Sequence, residues 1–255
     1  MPSVKLSLGR LCIALPLAVF ALVLADHVSS TPLHRGALWE VVRTCAIAAK
    51  TVGVPFPCEQ VTLASDDAPG SAIIKSPMHR SEFLLMPLEA AAGVESPAVR
   101  GQDSALLWQR AWETRSMVQA RLGRDLPRTA VALVVNSGIA RSQDQFHIHV
   151  DCVAPSVERK LAVYGPKEEG RWQLFPQTLM GQRYWVKAIA KPDLDTTNVI
   201  GLIASGLPRA RSAMYRVNVV VVGAELSGGR PGFYILANWD KVAAERLMDH
   251  GCAIG

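Results

Sequence analysis

Two of the six histidines in this 255-residue chain, His147 and His149, stand two apart in Phe146-His147-Ile148-His149-Val150-Asp151. Side chains alternate between the faces of an extended strand. His147, His149 and Asp151 therefore share one face, and Phe146, Ile148 and Val150 turn to the other, where they enter a core. Imidazoles in a row with a carboxylate can bind a metal, move protons or supply a nucleophilic nitrogen. Asn136, Arg141 and Gln143 precede this row in a polar loop, and their amide and guanidinium N–H groups suit phosphate oxygens. Asp151 has two readings. It orients a catalytic imidazole through a ring nitrogen, or it forms a structural ion pair with Lys or Arg. His250 reads as a supporting residue or a helix C-terminal cation and stays outside the candidate set. As a metal site the row is poor, because positions i, i+2 and i+4 span roughly 13 Å at about 3.3 Å per residue. No metal ligand set is expected.

A hairpin must carry these groups: strand Thr129–Val135, loop Asn136–Asp144, strand Gln145–Val153. Upstream, Leu38, Val41, Val42, Cys45 and Ala49 recur at helical spacing over Ala37–Val52, and Gly53 and Pro55 end that helix. Ala72–Ile74 and Glu82–Met86 read as strands. A long helix starts at Asp103 or Ser104 and closes at Gly123, with Trp108 and Trp112 one turn apart as core packing. Tyr184–Ala190, Tyr215–Val222 and Gly232–Ala237 read as strands, and Asp240–His250 as a last helix. This order predicts an α+β domain on an antiparallel sheet with packed helices. No sequence repeat is visible, which leaves open a second half that echoes the first in structure.

The N-terminus carries Lys5 and Arg10 ahead of the uncharged run Leu11 to Ala25, the pattern of a signal peptide or signal anchor. Residues 1–30 are thus expected to be a targeting segment with its linker, and 31–255 the functional domain, exported by the positive-inside rule. Export permits disulfides. With Cys12 in the apolar run, Cys45, Cys58, Cys152 and Cys252 remain, and four cysteines allow three pairings. Local loop closure favours Cys45 with Cys58, which leaves Cys152 with Cys252. The formal charge of +5 suits a phosphate-rich substrate or an anionic surface. No Lys/Arg block with interleaved aromatics supports nucleic-acid binding, and oligomeric state is not legible.

The hairpin resembles the histidine-triad superfamily, whose motif is His-φ-His-φ-His-φ-φ preceded by an Asn and a Gly-Gln pair. Asn136 stands eleven residues and Gln143 four residues before His147, which makes His149 the middle histidine and the implied nucleophile. Ser142 replaces the motif's glycine and Asp151 its third histidine. Over nearly its whole length the chain also resembles the bacterial CDP-diacylglycerol pyrophosphatases. The shared features are the hydrophobic N-terminus, Cys45 and Cys58, Leu84-Leu85-Met86-Pro87, the Asn136-to-His149 hairpin and Asp249-His250-Gly251-Cys252.

The resemblance implies a histidine-triad-like fold and hydrolysis of CDP-diacylglycerol to CMP and phosphatidate, with no cofactor. It implies His149, His147 and Gln143 as catalytic residues and Asn136, Arg141 and Asp151 as substrate-binding residues. It further implies a single-pass protein of the bacterial inner membrane with its catalytic domain on the periplasmic side. Hydrolysis of another nucleotide anhydride, or an exported metal- or lipid-binding protein without activity, are the competing expectations.

Overall fold

Nine strands form one antiparallel sheet in the computed structural model, which describes residues 34–165 and 169–253. They are β1 (Gln60–Thr62), β2 (Ser71–Lys75), β3 (Phe83–Pro87), β4 (Val131–Val135), β5 (Ile148–Cys152), β6 (Gln173–Leu174), β7 (Trp185–Ile189), β8 (Asn218–Leu226) and β9 (Arg230–Asn238). The spatial order is β1-β2-β3-β5-β4-β8-β9-β7-β6. Outward from the β4–β8 seam, one side runs β4, β5, β3, β2, β1 and the other β8, β9, β7, β6. The same connectivity is thus traced twice, a repeat in topology that the sequence does not display. The halves differ at their tips. β8 and β9 close through a turn containing Gly228 and Gly229, both at positive φ where glycine carries no steric cost. β4 and β5 are separated by the polar segment 136–147.

Helices cover both sheet faces. On one face Leu85, Leu133, Ile148, Val150, Val221 and Ile235 pack beneath α2 (Ser104–Glu113), α3 (Arg115–Leu122) and α5 (Val199–Gly206), with Trp108 and Trp112 fully enclosed. On the opposite face there are two separate apolar patches. α1 (Ala37–Val52) sets Val42 and Cys45 against Ala72 and Met86. α4 (Pro155–Ala162) sets Val157 and Leu161 near Val220, Val222 and Leu236. Between these patches, on the same face, His149 lies opposite Leu84 and Val134, and Asp151 opposite Ala132. The alternation expected of this strand therefore holds, although its polar face is buried too.

Four expectations differ from the structure, the first being that the strand expected from Gln145 begins at Ile148 and leaves His147 just ahead of it. The long helix is two, α2 ending at Glu113 and α3 starting at Arg115, and at the junction the Thr114 hydroxyl bonds back to the Arg110 carbonyl at 2.7 Å. The strand expected from Tyr215 begins at Asn218 after a 3₁₀ turn at Met214–Arg216. The helix expected over Asp240–His250 is only a 3₁₀ turn at Ala244–Leu247. Asn218 Nδ2 takes the carbonyls of Asp240 and Val242, which a helix would need. The tail instead lies along β5, with Ala154 N–H bonded to the Leu247 carbonyl and Asp249 N–H to the Cys152 carbonyl. Both expected disulfides, Cys45–Cys58 and Cys152–Cys252, are formed. The apolar run Leu11 to Ala25 lies outside the described residues. Among the described residues no helix is long and apolar enough to cross a membrane.

Candidate active site

β5 is paired on both edges, to β3 and β4, so it holds His149 on a rigid frame in the polar gap between the two patches. Glu82 enters immediately before β3 and is buried, with Oε1 2.8 Å from His149 Nδ1. Burial pushes the Glu82 carboxyl up, but the hydrogen bond and charge of His149 outweigh it and hold it at about 2. An ionised carboxylate only accepts. His149 therefore donates from Nδ1 to Glu82, which turns Nε2 to the opposite side of the ring. Nε2 is buried and has no hydrogen-bond partner among the described residues.

His147 sits just before the strand with Nδ1 2.6 Å from the Gln145 carbonyl oxygen and its ring 4.8 Å from that of His149. A carbonyl also only accepts, so Nδ1 is the protonated nitrogen. Burial, and then the neighbouring His149, push His147 down to about 3. It is a neutral imidazole with an accepting Nε2 across the physiological range.

Facing His149 Nε2 from the tail is Glu245, with Oε2 3.6 Å away. Asn136 clamps this residue at two points. Asn136 Nδ2 donates to Glu245 Oε2 at 2.9 Å, and Glu245 N–H donates to Asn136 Oδ1 at 3.2 Å. The other carboxylate oxygen lies 3.7 Å from His250 Nε2 and 4.0 Å from His79 Nε2.

Asp151 is fully buried and binds His250 Nδ1 through Oδ2 at 2.9 Å. Of the two kinds of partner expected for it, an imidazole and a Lys or Arg, the structure shows an imidazole. The imidazole is His250 rather than His149, and no Lys or Arg is paired with it among the described residues. The Cys152–Cys252 bridge fixes the tail beside β5, with Cα atoms 5.3 Å apart. His79 stacks on His250, with ring centroids 3.6 Å apart and planes 8° apart. Burial lowers the His250 pKa, but the Asp151 hydrogen bond and the charges of Glu82, Asp151 and Glu245 more than reverse this and raise it. His250 thus reaches the strand residue Asp151 from the C-terminal tail.

The raised His250 pKa has a signed consequence. Its contribution to stability is complete below the ordinary value of 6.5 and is lost as pH rises through the raised one. Wild-type melting temperature should therefore fall more steeply between pH 6 and pH 9 than that of His250→Asn, which does not titrate there. Parallel curves in thermal unfolding would contradict the assignment.

Arg141 and Gln143 occupy the wall of the loop. The Arg141 guanidinium grips Glu95 with both terminal nitrogens, at 3.0 and 2.7 Å, and bonds Asp144 through Nε at 3.0 Å. Gln143 Oε1 accepts the Leu38 N–H at the start of α1 at 2.9 Å. Of the six residues singled out from sequence, His147, His149, Asn136 and Asp151 converge, while Arg141 and Gln143 brace the segment that carries them. Sequence reasoning missed Glu82, Glu245 and His79, and it left His250 outside.

By distance, His79, Glu245 and His250, or Glu82, His149 and Glu245, could each hold a cation. A metal is bound in the plane of an imidazole, and the near-parallel stacked planes of His79 and His250 keep their lone pairs from converging. Asp151 with Cys152 and Cys252 also lies close together, but those sulfurs are joined to each other. The arrangement suits an anion better: His149 Nε2 without a hydrogen bond among the described residues, with an amide and two further imidazoles directed at the Glu245 carboxylate.

A model of the CDP-diacylglycerol pyrophosphatase family matches residues 33–255. A CDP-diacylglycerol pyrophosphatase of Yersinia pestis is 31% identical over 225 residues, covering 86% of this chain and 84% of that protein. One of Mycobacterium tuberculosis (strain ATCC 25177 / H37Ra) is 29% identical over 257 residues, covering 99% and 96%. A probable CDP-diacylglycerol pyrophosphatase of Mycobacterium leprae is 29% identical over 226 residues, covering 86% and 81%.

Proposed function

The chain belongs to the CDP-diacylglycerol pyrophosphatase family, a family of hydrolases, and from that premise we propose that His149 carries the reaction through a cytidylyl-histidine intermediate. CDP-diacylglycerol is cleaved at its pyrophosphate bond, phosphatidate departs first, and CMP is released when water cleaves the intermediate. The observation that carries this reading is the state of one ring: Nδ1 fixed by Glu82 and Nε2 buried without a hydrogen bond.

Each neighbour then has a task. Glu82 keeps the proton on Nδ1 and meets the positive charge that grows on the ring as Nε2 bonds to phosphorus. Asn136, and His250 when its Nε2 carries a proton, supply donors for the non-bridging oxygens, and neutral His147 lies beside the His149 ring. Asp151 positions His250, while Gln143 and Arg141 hold the loop in shape. The machinery is histidine-triad-like, with its third imidazole supplied from the tail. Residues 31–255 form the catalytic domain, and the apolar run Leu11 to Ala25 holds it at the periplasmic face of the inner membrane, where a lipid substrate resides. A phosphate leaving group needs little protonation, which accords with the absence of a third strand histidine.

Substrate class is tested by assaying the purified protein with CDP-diacylglycerol and with dinucleoside polyphosphates side by side. Turnover of the lipid nucleotide at the higher kcat/KM is expected. Preference for the soluble anhydride would refute the substrate assignment and leave the nucleophile standing.

A further inference from the structure

Hydrolysis through a covalent histidine has a second step with a different requirement. The incoming water must lose a proton as it bonds to phosphorus, and a positioned base accelerates such a transfer by about 10²–10⁴-fold. Two nearby carboxylates are already engaged. Glu82 is buried on the Nδ1 side of His149. Asp151 is fully enclosed and bonded to His250.

Glu245 is placed differently. Its Oε2 faces His149 Nε2 at 3.6 Å, and its side chain is about one-quarter exposed, at 26%. Its two oxygens occupy a seat built for a phosphoryl group, with Asn136 Nδ2 on one and the His250 and His79 Nε2 atoms near the other. A reacting phosphorus begins about 3–3.5 Å from its nucleophile, close to where this carboxylate rests. A phosphoryl group that bonds to Nε2 therefore takes the seat and displaces Glu245 toward solvent. An in-line water must arrive from the side of phosphorus opposite Nε2, and a carboxylate released to the solvent edge of the seat is free to meet it.

Resting on the cytidylyl-His149 reading, we infer that Glu245 is the general base of the second step. The water oxygen bonds to phosphorus as the bond from phosphorus to Nε2 breaks, and the electron pair returns to the ring. The Nδ1 proton stays on the ring, hydrogen-bonded to Glu82. The proton lost by water passes to the Glu245 carboxylate and then to solvent after CMP leaves. Glu245 thus guards the seat in the resting enzyme and activates water once the seat is filled.

The test is rapid-quench kinetics of Glu245→Gln with CDP-diacylglycerol labelled at the cytidylyl phosphate. The amide keeps the shape and can still accept from Asn136, so a burst of phosphatidate equal to the enzyme concentration is expected at close to the wild-type rate. Steady turnover should then be slowed about 10²–10⁴-fold, with labelled protein accumulating. Azide, which attacks without losing a proton, should restore release of the label. Wild-type turnover in this variant would overturn the assignment. Loss of the burst without labelled protein would also overturn it, by placing Glu245 in the first step. Inversion of configuration at phosphorus by the wild-type enzyme would remove the histidine intermediate, and the base with it, which separates failure of the underlying reading from failure of this one.

Discussion

Replacement of His149 by Ala is expected to lower CDP-diacylglycerol turnover by on the order of 10⁴-fold or more, as removal of the nucleophile does in other covalent mechanisms. The loss is large because no nearby group takes over. His147 Nδ1 is committed to the Gln145 carbonyl, and Glu245 is a weak nucleophile held by Asn136. Alanine would also strip a buried carboxylate of its partner, and an uncompensated buried charge costs about 3–5 kcal/mol. Part of any loss could then be unfolding. His149→Asn separates the two effects, since its amide can donate to Glu82 and relieve the buried charge. It should melt closer to wild type and be equally inactive. Turnover within tenfold of wild type in a folded His149→Asn enzyme would sink the nucleophile assignment.

The second large effect is expected at Glu82, a residue chosen by the structure alone. Glu82→Gln removes the charge that meets the growing imidazolium. If the amide nitrogen turns toward Nδ1, it also drives the proton onto Nε2 and blocks attack. A carboxylate-to-amide change behind a catalytic imidazole costs about 10⁴-fold in kcat in the serine-protease case, and a fall of about 10³–10⁴-fold is expected here, with KM nearly unchanged. Glu82→Asp keeps the charge but withdraws it by one methylene, so it should retain an intermediate activity. Steady-state kcat and KM of the three proteins provide the check. Equal kcat values for Glu82→Gln and wild type would show that the 2.8 Å contact is structural only.

The strand that carries His149 and Asp151 was legible because its pattern is local. Alternation in Phe146 to Asp151 assigned the faces correctly, and the stripe through Leu38, Val42 and Cys45 marked α1 to its ends. Asp151 was legible as a carboxylate that could bind an imidazole, but which imidazole was not, because His250 lies 99 residues away along the chain. The signal that could have found it was Cys252. The Cys152–Cys252 pairing places residue 250 beside residue 151, yet the charged and apolar spacing of Asp240–His250 read as a helix that would have carried the imidazole elsewhere. Asn218 overrides that helix by taking the Asp240 and Val242 carbonyls, a tertiary effect with no local trace.

Glu82 and Glu245 were illegible for a related reason. One precedes an ordinary strand and the other sits in an apparent helix, and only the order β3-β5-β4 with the returning tail brings both to His149. Arg141 shows the reverse case. Its type and position suit a phosphate, but Glu95, 46 residues earlier, satisfies it. The topological repeat was hidden because α4 and α5 lack strong terminal signals. Pro155 at the start of α4 and the Asn198 side chain capping Gly201 N–H at 2.7 Å were the available cues.

In the proposed mechanism the cytidylyl phosphorus is transferred twice, first to His149 and then to water. Each in-line displacement inverts its configuration. Hydrolysis of CDP-diacylglycerol made chiral at the cytidylyl phosphorus with sulfur and oxygen isotopes, followed by analysis of the released nucleotide, counts the displacements directly. Two displacements through His149 predict net retention. Net inversion would mean that water attacks the substrate in a single step, and would contradict the account.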